Sequence, residues 1–122
     1  MSALQLLTAD LRELLLANGR EPGQDHVPIV KLFNPAGPAT WLVTELDSDG
    51  DTLFGLADLG MGCPELGSFS LAELAALRLP FGLRIERDLF FSTDRPLSAW
   101  ADAARNAGSI AGAERLLATV RS

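Results

Sequence analysis

The sequence contains one cysteine, Cys63, and one histidine, His26. A lone thiol cannot close an internal disulfide, which fits a reducing compartment. One Cys and one His cannot build a usual zinc site without unusual help from carboxylates. A Ser-His-Asp or Cys-His engine would have to use His26, beside Asp25, with a serine or Cys63 brought near by folding. No Gly-x-Ser-x-Gly elbow is present, and no basic sequence neighbour stands ready to activate Cys63. A loop histidine and a small buried thiol are the expectation.

Long apolar runs are missing as well. The longest stretch without a charged side chain is Leu32 to Thr44, thirteen residues interrupted by Pro35 and Pro38. A membrane helix needs about 20 mostly apolar residues. At the start of the chain no basic segment precedes the apolar residues, and Asp10 interrupts them. No secretory leader is expected, and a cytoplasmic location is.

The most informative absence is of bases. Between Leu32 and Leu77 there is no Lys or Arg, but there are seven acids: Glu45, Asp47, Asp49, Asp51, Asp58, Glu65 and Glu73. The remainder of the chain carries nine acids and ten bases, so one central block supplies the formal net charge of -6. Tight non-specific binding of nucleic acid is not expected from such a balance. A phosphate cradle built on Gly55, Gly60, Gly62 and Gly67 would meet only carboxylates. The block reads as a solvated acidic hairpin or as a surface for a cation or a basic partner.

What is present describes a globular chain. With 122 residues and 48% hydrophobic side chains, a single domain over 1–122 is expected. Thr8 can cap a helix over 9–18 that Gly19 stops, with Leu4, Leu7, Leu11, Leu14 and Leu15 as its apolar stripe. Residues 29–33 predict a strand ended by the turn at 34–38. Trp41–Leu46 and Thr52–Ala57 flank an Asp-Gly turn and predict a hairpin. The stretch through Gly60, Gly62, Pro64 and Gly67 reads as irregular, after which Ser70 and Glu73 form a capping box for a short helix. Leu83–Phe91 alternates, with Leu83, Ile85, Leu89 and Phe91 on one side, Arg84, Glu86 and Asp88 on the other, and Arg87 as the exception. Those charges read as cross-strand pairing. Trp41, Trp100 and the six Phe are placed as core residues. Leu97, Trp100, Ala101 and Ala104 mark another helix, and Ala113, Leu116, Leu117 and Val120 a last one over about 109–121. The order favours an α+β single domain with a small, mainly antiparallel sheet and a central hairpin, flanked by N-terminal and C-terminal helices.

Two metal chemistries fit parts of the acidic block. Counting Asp47 as position one, Asp49, Asp51 and Asp58 fall at calcium-loop positions three, five and twelve. Position six is Thr52 where a sharp turn needs Gly, and a strand stands where the entering helix should be, so a hairpin explains the same residues. Alternatively Glu45, Asp58, Glu65, Glu86 and Asp88 could hold Mg²⁺ or Mn²⁺ for phosphodiester cleavage. Their spacing matches no nuclease signature, and no cofactor motif occurs.

The blocks VKLFNPAGPATWLVTEL, LFGLADLGMGCPELGSFSLAEL and LPFGLRIERDLFF, in that order, resemble a bacterial domain-of-unknown-function family, DUF2958. The likeness spans about residues 4–105 and leaves the last helix outside. It implies a bacterial cytoplasmic protein carried on plasmids and integrative conjugative elements, and brings no mechanism or ligand. Some relatives carry the label single-stranded DNA endonuclease. The matching blocks would place a functional surface around Glu45, Asp58, Glu65, Glu86 and Arg87. Two functions follow as expectations: a non-enzymatic accessory protein acting through protein contacts, or a metal-dependent single-stranded DNA endonuclease.

Overall fold

A computed structural model describes residues 6–121, with side chains as far as residue 118. Helix α1 (Ala9–Gly19) is followed by strands β1 (Val30–Phe33), β2 (Thr40–Leu46), β3 (Thr52–Asp58) and β4 (Glu65–Ser70). Short helix α2 (Leu71–Ala76), the two-residue strand β5 (Glu86–Arg87) and helices α3 (Leu97–Ala107) and α4 (Ile110–Arg121) complete the chain. β1 to β4 run as an antiparallel meander and β5 pairs with the outer side of β1, giving the order β4-β3-β2-β1-β5. The expected α+β class, with its central hairpin and flanking helices, is what the chain adopts.

Both faces of this sheet are covered. Trp41 and Val43 of β2 pack with Leu7, Leu15, Leu32, Leu53 and Ile85, under α1 and α2. Leu42 points the other way, to Leu56, Trp100, Ala104, Ile110 and Leu117 under α3 and α4. That is why β2 is an almost unbroken apolar run: a strand covered on both sides has no wet face to alternate with. Each fully buried leucine here contributes about 1.5–3 kcal/mol.

The pairing of β2 with β3 shifts register between Val43 and Glu45. Thr44 is the extra residue of the bulge; its hydroxyl donates to the Phe54 carbonyl at 3.1 Å, and its own carbonyl accepts from the Asn18 amide at 2.9 Å. An extra residue changes the phase of the alternation. Leu46 therefore joins the cluster of Trp41 and Val43 despite the odd spacing, and Glu45 turns to the opposite face.

Local signals place the helix ends well. The Thr8 hydroxyl accepts from the Leu11 N–H, and the Ser70 hydroxyl from the Glu73 N–H. Gly19 is the last residue of α1, and its role is close approach: a Cβ there would lie 2.2 Å from the Leu46 carbonyl oxygen. Of the α1 stripe, Leu4 lies outside the described residues, Leu7, Leu11 and Leu15 face the core, and Leu14 is exposed. In α4, Ala113 and Leu117 are buried and Leu116 is exposed, while the Val120 side chain lies outside the described set.

Two expectations on strands are corrected. The stretch whose Gly60, Gly62, Pro64 and Gly67 predict irregular chain ends in strand β4, whose apolar residues Leu66 and Phe69 sit three apart and cannot share a face. An edge strand with little to bury has no alternation to show. The clearest alternation, Leu83–Phe91, contributes only Glu86 and Arg87 as strand. Asp88 Oδ1 accepts from the Phe90 N–H at 2.9 Å, and this turn ends the strand and swings Leu89 and Phe90 into solvent. The expected pairing of these charges across strands holds for Asp88, which meets Lys31 of β1 at 3.7 Å, and is corrected for Arg84, which donates to the Ala75 carbonyl. No helix among the described residues is long and apolar enough to cross a membrane.

Candidate functional site

Asp49, Asp51 and Asp58 of the central block hold backbone. Asp58, only 2% exposed, accepts from the Gly60 N–H at 2.9 Å through one oxygen and from the Ile110 N–H at 2.9 Å through the other. The second bond supplies an acceptor at the N-terminus of α4 from the end of β3. Asp49 accepts from the N–H groups of Asp51 and Thr52 and from the Thr52 hydroxyl. The Thr52 hydroxyl, and behind it these N–H groups, hold the Asp49 carboxyl below its usual range. Asp51 reaches across the turn to the Ser70 hydroxyl at 2.7 Å and the Ala72 N–H at 2.8 Å, adding a second acceptor at the start of α2. The calcium-loop pattern is thus a tight hairpin turn, in which the Gly50 N–H donates to the Asp47 carbonyl and Arg12 lies against Gly50.

The candidate surface residues do not come together. Phe33 pairs with both Glu86 and Thr40, and Thr40 with Asp58, so Glu86 and Asp58 share a row across the sheet. They stand three strand spacings apart, about 14 Å. Glu65 lies on β4, a further strand away. Glu45 sits five residues along β2 from that row, about 17 Å. Among the described residues no three His, Cys, Asp or Glu side chains are grouped closely enough to hold a metal ion. Arg87 explains its own anomaly: on the apolar side of β5, its guanidinium donates to the Leu6 carbonyl at 2.6 Å and ties down the segment before α1.

His26, Asp25 and Ser98 do meet, but not as a triad. The Ser98 hydroxyl donates to Asp25 Oδ2, the Ser98 N–H donates to Asp25 Oδ1 at 3.0 Å, and the Leu97 N–H donates to the His26 carbonyl at 2.9 Å. The His26 ring instead bonds the Glu21 carbonyl. Pro96 precedes α3 and has no side chain to cap it, so the 25–26 segment supplies the acceptors. The Ser98 hydroxyl, then its N–H, lower the Asp25 pKa. A carboxyl with a lowered folded-state pKa contributes stability above its unfolded pKa and loses it as pH falls through the folded value. Acidification below the ordinary aspartate range should therefore release the Ser98 N–H, read from its amide chemical shift. Asp25→Ala should cost about 1 kcal/mol at neutral pH.

Among the described residues, several hollows are open on the α3/α4 face of the sheet, and three of them are lined by Glu45, Glu86 or Arg87. One of about 440 Å³ lies by Asp25, His26, Glu45, Phe54, Leu66 and Leu97. A smaller one beside it is lined by Pro22, Glu45, Asp47, Phe54 and Ser68. The third, about 640 Å³, lies at the opposite side of the sheet between the 34–40 turn and β5, lined by Phe33, Asn34, Thr40, Glu86, Leu89 and Phe90 among others. Its flank is stiffened by Lys31, which bridges Asp88 and Glu114. The rim is not legible in the sequence, where Leu89 continues the apolar side of the Leu83–Phe91 alternation and Phe90 reads as a core aromatic. Phe90 is 94% exposed, Leu89 is also exposed, and Phe81 stands 96% exposed at φ 63°. The expectation that all six Phe lie in the core is corrected for these two. Cys63 is exposed and not buried as expected, with its thiol directed at the Met61 carbonyl.

The fold and its open surfaces define a small α+β protein with an antiparallel sheet between two helical layers. The chain belongs to the family described as Protein of unknown function (DUF2958), whose model matches residues 6–111. No curated protein and no solved structure matches it.

Proposed function

We propose that this chain is a small non-enzymatic accessory protein of a bacterial mobile genetic element, working in the cytoplasm through contacts with another protein. The observation that carries this reading is the Leu89–Phe90 pair, exposed on a turn fixed by Asp88 at the mouth of the 640 Å³ cleft. Large apolar side chains held out in solvent beside a concave surface are how soluble proteins present a contact site. The mobile-element setting rests on the resemblance described above. The endonuclease alternative has no comparable support, since its carboxylates stand apart and Asp58 is committed to backbone.

Leu89→Ser with Phe90→Ser should leave thermal stability within about 0.5 kcal/mol of the parent. The same pair of changes should abolish recovery of a stoichiometric partner when the tagged chain is captured from its native host. Failure of the unaltered chain to retain any partner under several salt conditions counts against the proposal. Cleavage of single-stranded DNA by purified chain with Mg²⁺ or Mn²⁺ would overturn it.

A further inference from the structure

Strand β4 ends the sheet, and among the described residues no other strand lies outside it. The Leu71 N–H donates to the Asp51 carbonyl at 2.9 Å, which makes Thr52 and Ser70 a non-hydrogen-bonded pair of the β3–β4 ladder. Alternation along an antiparallel ladder then turns the N–H and C=O groups of Glu65, Gly67 and Phe69 toward β3 and those of Leu66 and Ser68 outward. The edge carries no proline, lysine or bulge of the sort that usually protects one. Beside it, on the α3/α4 face, Ser68 pairs with Phe54 and Phe54 with Glu45, forming one row that runs inward from the edge.

That row is a slot of about 280 Å³, open at Ser68, floored by Phe54, walled by Pro22 and ending at Glu45 and Asp47. Among the described residues no Lys, Arg or His lines it and no cation pairs with Glu45. We infer that β4 accepts an extended segment of a partner protein as a sixth strand, with an Arg or Lys opposite Ser68 reaching into the slot toward Glu45. The residue opposite Ser68 points to the same face as Ser68, because partners in a ladder share a face. From it to Glu45 is three strand spacings, about 14 Å; extended Arg and Glu side chains close most of that distance, and a bridging water spans the remainder. Ser68 is small enough to be crossed, and Phe54 offers a ring face to the passing cation. Main-chain bonds along the edge supply affinity and the slot supplies selectivity. A second copy of the chain is the poorer occupant, since it would bring the same acidic surface to this edge. The site is at the opposite sheet edge from the Leu89–Phe90 rim and stands independently of it.

The probe is the blocked peptide Val-Thr-Arg-Thr-Val, titrated into the full chain with amide exchange followed by NMR. Slowed exchange at Leu66 and Ser68 is expected, weakening as ionic strength rises from about 0.1 to about 1 M. Norleucine in place of the peptide Arg should weaken binding about tenfold. Glu45→Gln should do the same to the Arg peptide, and the two losses should not add. Ser68→Pro should abolish binding with the fold retained, since the N–H it removes points outward; if that variant fails to fold, Glu45→Gln decides alone. The inference is overturned by absent protection at millimolar peptide, by equal binding of the Arg and norleucine peptides, or by protection of the same amides through self-association without peptide.

Discussion

Asp58→Ala is expected to destabilise the chain by about 3–5 kcal/mol, the cost of removing two charge-assisted hydrogen bonds inside the fold. The Gly60 and Ile110 N–H groups would lose their acceptor, and α4 would lose an acceptor at its N-terminus. A domain of this size has only about 5–15 kcal/mol in total, so the melting temperature should fall by about 10–20 °C. Asp58→Asn should recover part of this, because its carbonyl oxygen can still accept one of the two bonds. A calorimetric scan of both variants checks the order. A carboxylate kept for metal chemistry behaves in the opposite sense, since neutralising it leaves stability unchanged or raised. The same measurement therefore separates a structural Asp58 from a catalytic one.

Gly55→Ala should cost about 3–5 kcal/mol, and Gly55→Val should leave no folded protein. A Cβ built on Gly55 lies 1.8 Å from the Leu42 carbonyl oxygen and 3.1 Å from the Val43 Cα, both backbone. Neither can give way without moving β2 off β3 beside the Thr44 bulge. The internal control is Gly67, which pairs directly with Gly55 on β4 and has open space where its Cβ would be. Gly67→Ala should be neutral or stabilising by about 0.5 kcal/mol. Urea denaturation of the two alanine variants should show a large shift in one and almost none in the other. Equal shifts would mean that β3 sits less tightly on β2 than described.

How much of this was legible in the sequence depends on distance along the chain. The Asp-Gly hairpin, the Thr8 cap and the Ser70–Glu73 capping box involve residues within a few positions of each other, and each is where local chemistry puts it. Asp58 has a partner fifty-two positions away, so nothing near it in sequence distinguishes a buried strut from an exposed ligand. Asp51 likewise reads as a turn former until the start of α2 is seen to return to it. Leu89 misled in the other direction: with Leu83, Ile85 and Phe91 it continues an alternating run that is strand by pattern, and only the Asp88 turn shows that the run has ended. The separation of Glu45, Asp58, Glu65 and Glu86 follows from strand order, which no local signal encodes. Acidity across the middle of the chain was plain from the start. That most of it serves as hydrogen-bond acceptors for turns and helix ends was not.

Strand β2 belongs to two apolar clusters at once, with Trp41 and Val43 in one and Leu42 in the other. Neither helical layer can therefore melt away and leave the other with an intact wall to pack against. Loss of α3 and α4 exposes Leu42 and Leu56 in the same strands that hold Leu53 and Val43 beneath α1. The two clusters form one cooperative unit, and the amides of β2 should be the last in the chain to exchange, at the free energy of global unfolding.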